Sequence, residues 1–356
     1  MVSMPVLAPI EYSFEPLRCC LLSLGADMRR REFIGLIGGA AAWPLSARAQ
    51  QPDRMRLLGV LMGYLESDSA AQSRLAAFRS ALSKLGWVEG NNLRIELRWG
   101  AGDANMIRTL AKELVELRPD AIFAQSSNVI SALARETQTI PIVFAIVSDP
   151  IGTGFVTNLA RPGGNITGFT NIDPEMGSKW VGLLKELAPR TSRVAVLHNP
   201  ATAVPLKLLM PSIQAAASSL AIEASAAPIH ARNDIEGVIA AHASNPGGGL
   251  IVTPDPFNFT NRDLMIAVAA RHGVPAIYFD RAHAVSGGLI SYGPDSVERF
   301  RSAASYVDRI LKGGKPAELP VQQATTFELV INLKTARALA LDVSTSLLAR
   351  ADEVIE

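Results

Sequence analysis

Cysteine is almost absent from this 356-residue chain: the two present, Cys19 and Cys20, are adjacent near the N-terminus. Neighbours in sequence neither form an ordinary disulfide nor offer a metal-ligand spacing. Everything after them is cysteine-free, which excludes a thiol nucleophile, a zinc–thiolate centre and an iron–sulfur cluster from the folded body. An excess of either charge is also lacking. With 34 Lys and Arg against 33 Asp and Glu the formal net charge is +1, so the basic surplus that binds phosphate backbones is missing and no nucleic-acid partner is expected. Hydrophobic residues make up 48% and charged residues 19% of the chain, which supports a buried core and excludes disorder for its bulk. The length suits two domains.

Catalytic signatures are missing as well. The sequence contains no Gly-x-Ser-x-Gly elbow, no His-Glu-x-x-His and no Walker loop. Gly247-Gly248-Gly249 precedes an apolar run instead of following one, and Gly152-Thr153-Gly154 lacks a third glycine, so neither is a dinucleotide fingerprint. The five histidines, His198, His230, His242, His272 and His283, are scattered. No catalytic residue, metal site or cofactor is expected, and the chain reads as a non-enzyme.

Long apolar runs are lacking too. The longest, near Phe33–Trp43, is about half the ~20 residues that span a bilayer, and it follows Arg29-Arg30-Arg31 and precedes Ala47-Arg48-Ala49. A basic region, a short apolar region and an Ala-x-Ala site make an export signal, here of twin-arginine appearance with a Sec signal as the alternative. Cleavage is expected between Ala49 and Gln50, and no cysteine stands at the end of the apolar region to carry a lipid. Glu11, Glu15 and Asp27 ahead of the arginines are foreign to such a signal, which places the expected start at Met28. Removing residues 1–49 takes away five arginines and four acids and leaves a formally neutral chain, expected in the periplasm with no membrane insertion.

What the mature sequence does contain is alternation. Short apolar runs at 57–62, 121–124, 142–147, 194–197, 250–253 and 276–279 are spaced by amphipathic or Ala-rich segments, including 206–221, 233–243 and 261–272. Runs apolar at every position suit strands covered on both faces, so the pattern predicts α/β lobes with parallel sheets. Leu93–Trp99 alternates with period two and reads as an edge or exposed-face strand. Leu75, Phe78, Leu82 and Leu85 form one helical stripe, and Ile107, Leu110, Leu114 and Leu117 another. Pro162-Gly163-Gly164-Asn165 and Asp173-Pro174 interrupt the series and mark a boundary between lobes near 170.

Ligands of open α/β sheets gather beyond the carboxyl ends of the strands, where helix N-termini point into a crevice. The residues that follow the apolar runs are therefore the candidates: Tyr64 and Glu66; Ser126, Ser127 and Asn128; Ser148 and Asp149; Asn199; Asp255; Asp280 and Arg281; Tyr292. Each has an ordinary structural reading beside the functional one. Ser126 and Ser127 suit N-caps, with capping expected of one of them; the aspartates suit turns; Tyr64 suits packing at a strand end. Together they suit a small polar or zwitterionic solute. Serine hydroxyls and helix-start amides would take a carboxylate, opposite Asp255 and Asp280, which would take a cation. Arg281 would neutralise Asp280 or bind a second carboxylate.

Several ordered motifs carry a resemblance over the chain from about Arg56 to the C-terminus. They are Ser148-Asp149-Pro150-Ile151-Gly152-Thr153-Gly154, Pro162-Gly163-Gly164-Asn165-Ile166-Thr167-Gly168, Asn199-Pro200, Lys315-Pro316-Ala317-Glu318-Leu319-Pro320-Val321, Leu329-Val330-Ile331-Asn332-Leu333-Lys334 and Leu347-Leu348-Ala349-Arg350-Ala351-Asp352-Glu353-Val354-Ile355. The chain resembles the substrate-binding proteins of ABC transporters, tryptophan/tyrosine type, which are similar to type I periplasmic binding proteins. The resemblance implies two Rossmann-like lobes with parallel sheets joined by a multi-crossing hinge. The lobes would comprise residues 50–170 with about 290–315, and 171–289 with about 316–356. It further implies a monomer that closes on a small organic solute, an amino acid or related carboxylate, and presents it to a membrane permease. The same fold also serves as a ligand-binding sensor or chemoreceptor subunit, and a periplasmic hydrolase is the remaining alternative. The family's pattern departs at Ala201–Val204, Pro256-Phe257 and Arg281, which leaves the solute itself open.

Overall fold

A computed structural model describes residues 54–202 and 206–356. The expected export signal, residues 1–49 with its start at Met28, lies outside the described residues.

The first lobe is built by alternation: β1 (Arg56–Met62), α1 (Ser69–Lys84), β2 (Leu93–Trp99), α2 (Ala104–Glu116), β3 (Ala121–Gln125), α3 (Ser127–Glu136), β4 (Ile142–Val147) and β5 (Ile166–Thr170). The strands form a parallel sheet in the order β2-β1-β3-β4-β5. Central β3 and β4 are buried at every position, as strands covered by helices on both faces must be. At the sheet's edge β2 is only partly covered: Leu93 is buried, Arg94 is exposed and the remaining five residues are half-buried, so the period-two sequence does not become alternating burial. Leu75, Phe78 and Leu82 of α1 are buried, whereas Leu85 and Leu117 fall at the helix C-caps and remain exposed.

The second lobe repeats the plan with α4 (Met176–Leu187), β6 (Arg193–His198), α5 (Leu206–Ser219), β7 (Glu223–Pro228), α6 (Asp234–Ala243), β8 (Gly248–Val252), α7 (Pro256–Thr260), α8 (Arg262–Arg271), β9 (Ala276–Tyr278), α9 (Arg281–Val285) and β10 (Ile290–Pro294). Its order β7-β6-β8-β9-β10 reproduces that of the first lobe. The chain then leaves in α10 (Ser296–Leu311) and returns as β11 (Phe327–Asn332), α11 (Leu333–Ala338), α12 (Thr345–Leu348) and β12 (Glu353–Ile355). β11 runs antiparallel to β10, and β12 closes the sheet parallel to β11.

Although α10 follows the second sheet, it packs on α1 and on β3, β4 and β5 of the first lobe. Phe300 meets Phe123 edge-on at 5.2 Å, Phe123 stacks on Phe78 at 4.2 Å, and Trp87 Nε1 donates to Asp308 at 2.8 Å. Residues 319–322 also stay with the first lobe: Val321 N donates to Leu159 O, Gln322 N to Gly168 O and Thr170 N to Gln322 O. The chain therefore crosses between lobes three times, at 171–175, at Asp295 and at 323–326. β10 stays in the second sheet, and residues 319–322 lie along the first lobe.

Candidate functional site

The carboxyl ends of both sheets face one narrow cleft, which encloses about 20 Å3. From the first lobe it is lined by Tyr64 after β1, Gln125 at the end of β3, Ser126 and Ser127 at the start of α3, Ile146 and Ser148 at the end of β4, and Asn171 on the first crossing. From the second lobe come Thr202, Pro254, Asp255, Pro256 and Phe279. Of the residues expected from sequence, Tyr64, Ser126, Ser127, Ser148 and Asp255 meet here.

The anion-favouring wall is formed by strained backbone. Ser126 has φ 84 and ψ 155, a region that is essentially glycine's, and Ile146 has φ 59, rare for a β-branched residue. At Ile146 the register of β4 with β5 shifts, a bulge that turns its side chain into the cleft. Neither serine caps α3, contrary to expectation. Ser126 makes no side-chain cap bond and its hydroxyl pairs with Asn128 Oδ1, while Ser127 Oγ accepts from Ser148 N at 3.3 Å. Of the first-turn amides of α3, Val129 N donates to Asn128 Oδ1 at 3.0 Å, while those of Ser127 and Asn128 have no intrahelical carbonyl to meet, and the helix dipole favours negative charge at this end. Ser148 Oγ in turn donates to Asn171 Oδ1 at 3.1 Å.

Across the cleft Asp255 N-caps α7, with Oδ1 accepting from Asn258 N at 2.9 Å and Thr202 Oγ1 at 3.2 Å, and Oδ2 from Asn199 N at a long 3.4 Å. Burial pushes its carboxyl up to about 6, against the opposing pull of those donors. Asn199 thus supports Asp255 from behind, and its Nδ2 reaches His230 O.

The other expected residues lie elsewhere. Asp280 does not line this cleft: Arg74 Nη2 reaches both its oxygens at 2.7 Å, Ser296 Oγ donates at 2.7 Å and Ala282 N at 2.9 Å. Burial alone would raise its carboxyl, but the Arg74 guanidinium holds it below the usual carboxylate range. Arg281 forks onto Glu353 at 2.6 and 2.8 Å, so it neither neutralises Asp280 nor faces the cleft. Tyr292 stacks on Phe327 at 5.7 Å, its carbonyl accepting from Trp180 Nε1. Asp149 caps its own turn through Gly152 N at 2.8 Å, and Glu66 is exposed. Asn128 stands behind the cleft through Ser126.

Arg74 escaped sequence reasoning although it carries a signal, being a charged residue beside the apolar stripe of α1. It joins the lobes. Its guanidinium lies 4.5 Å from the Phe259 ring and donates to Tyr64 Oη at 3.2 Å. Asp68 pairs with Arg262, whose guanidinium also lies over Phe259 at 4.8 Å, and Tyr64 packs on Phe259 at 4.3 Å. Two ion pairs and an aromatic contact thus join the lobes beside the cleft.

Comparison with known proteins agrees with this construction. A curated relative, the tyrosine-binding protein of Clostridioides difficile (strain R20291), is 26% identical over 265 residues, 74% of this chain and 75% of that protein. A conserved domain protein from Vibrio cholerae is 27% identical with a TM-score of 0.79, covering 85% of this chain and all of that one. The fold is also that of an ABC domain from Streptococcus pneumoniae in complex with L-Trp, 24% identical with a TM-score of 0.78 over 84% of this chain and 99% of that one. A family model described as ABC transporter substrate binding protein matches residues 61–355, nearly all of the two-lobed body, and the chain belongs to that family.

Proposed function

We propose that this protein captures an amino acid in the periplasm, an aromatic one foremost, and hands it to the permease of an ABC importer. The observation that carries the reading is the polarity of the cleft. A strained helix start rich in hydroxyls faces a buried carboxylate, Asp255, on the other lobe. A zwitterion spans the two, with its carboxylate at the Ser127 hydroxyl and the start of α3 beside Ser126, and its ammonium at Asp255. Tyr64, Ile146, Pro254, Pro256 and Phe279 supply apolar wall for a ring, and tyrosine and tryptophan are the solutes of two of its relatives. Export rests on the arginines and the Ala-x-Ala site of residues 29–49, and mature protein starting near Gln50 is expected in a periplasmic extract.

A thermal-shift screen of the mature chain tests the ligand class. At a hundredfold excess over Kd a ligand stabilises the native state by about 2.7 kcal/mol, so L-tyrosine or L-tryptophan should raise Tm by several degrees. Asp255→Ala should remove that response. A rise with neutral sugars alone would sink the reading, and turnover of any bound solute would replace transport with catalysis.

A further inference from the structure

The floor of the cleft holds a polar group that no protein atom completes. Gln125, at the end of β3, is 1% exposed, and its Oε1 accepts the N–H of Gly63 at 2.9 Å. That bond fixes the orientation of the amide, since an N–H can meet only the oxygen side. The Nε2 donors are left buried and without a partner, in a residue that lines the cleft. The close approach is built in: a Cβ at Gly63 would sit 2.9 Å from Ser126 Oγ and 3.2 Å from Gln125 Oε1. The amide of Gln125 and the hydroxyl of Ser126 are thereby held side by side, at the anion end of the site.

We infer that Gln125 is a specificity residue that donates from Nε2 to the carboxylate of the bound solute and so selects the free acid over its amide. The inference rests on the reading given above and names which group of the solute is read and by what. A buried donor left empty costs more than a bond gained, and a site built to make such a bond rejects analogues that cannot accept it. The solute's carboxylate is an acceptor at both oxygens, whereas a carboxamide has one acceptor and, turned the other way, presents its N–H groups to the Gln125 donor.

The test compares L-tyrosine with L-tyrosinamide on the full mature chain by calorimetry. Gln125→Glu keeps the acceptor that Gly63 requires and replaces the donor with a second acceptor. Affinity for L-tyrosine should fall at least tenfold, and the preference for the acid over the amide should shrink or reverse. Gln125→Met removes both atoms and serves if the glutamate does not fold; it should lose affinity for the acid without gaining any for the amide. If wild-type chain binds L-tyrosine and both variants match it within twofold, Gln125 does not read the solute. If wild-type chain binds neither L-tyrosine nor L-tryptophan but takes another solute, the amino-acid reading falls and this assignment with it.

Discussion

Asp255, the proposed partner of a ligand ammonium, carries a cost to the fold. Its carboxyl titrates near 6 in the folded chain against 3.8 unfolded. Between about pH 4 and 6 the folded chain therefore holds a proton that the unfolded chain has released, and this contribution to stability declines as pH rises through 6. His283 works in the other direction. Burial against Tyr278 and Phe279 lowers it to about 4 from 6.5, so stability is lost as pH falls from 6.5 to 4. The two trends oppose each other over most of that range. Asp255→Asn should raise stability at pH 7.5 by about 1–2 kcal/mol, since each pH interval of one separating the folded from the unfolded titration corresponds to about 1.4 kcal/mol. It should also steepen the loss on acidification relative to the wild type; urea titrations at pH 7.5, 6 and 5 would show both. Solute affinity in the wild type should fall by up to about tenfold for each pH step of one below 6, because a ligand ammonium requires the ionised form.

Ser126 makes the same trade through its backbone. A residue in its conformation costs about 1–3 kcal/mol, so Ser126→Gly should stabilise the ligand-free protein by about 1 kcal/mol, net of glycine's entropy, while weakening binding through the missing hydroxyl. Chemical denaturation with and without L-tyrosine separates the two effects. Position after an apolar run was enough to mark Tyr64, Ser126, Ser127, Ser148 and Asp255. It also marked Asp280, Arg281, Tyr292, Glu66 and Asp149, which occupy equivalent places along the chain and differ only in their three-dimensional partners. Gln125 directly follows the apolar run 121–124 yet was not among the candidates, and Ile146 was invisible because it belongs to the strand itself, where a bulge decides which way a side chain points.

Among the elements, α10 has the most unusual task. Its residues are separated by the whole second lobe from the sheet they cover, and Phe300 completes an aromatic stack begun by Phe78 and Phe123. Phe300→Ala should cost about 3–5 kcal/mol, typical of a buried aromatic, and hydrogen exchange should locate the loss in β3, β4 and α1 instead of in the neighbouring β10. The apolar runs and stripes that fill the cores were legible because burial on both faces leaves no polar position to hide them. Edge strand β7 was not: Glu223–Pro228 is built of small residues ending in proline, half in solvent, and has no hydrophobic period to read.

At the scale of the molecule the pair Arg74–Asp280 ties the lobes at a point where no solute is placed. Both partners are about 3% exposed, and removing one partner of a buried pair typically costs about 3–5 kcal/mol. Asp280→Asn should therefore favour the open arrangement, in which Arg74 regains water. Small-angle scattering of the ligand-free variant should give a larger radius of gyration than wild type, and affinity for L-tyrosine should drop although Asp280 lies outside the cleft. Equal radii and equal affinities would assign the pair to packing alone.

The late return of α10 also sets a timetable. Translation adds about 5–20 residues per second, so on the order of 10–35 s separates the appearance of Phe123 from that of Phe300. Through that interval the first sheet has strands enough to pair and Phe78 to stack on Phe123, but the contact that Phe300 makes on Phe123 is missing. A ribosome stalled before residue 296 therefore holds a lobe that is complete in sequence order and unfinished in space.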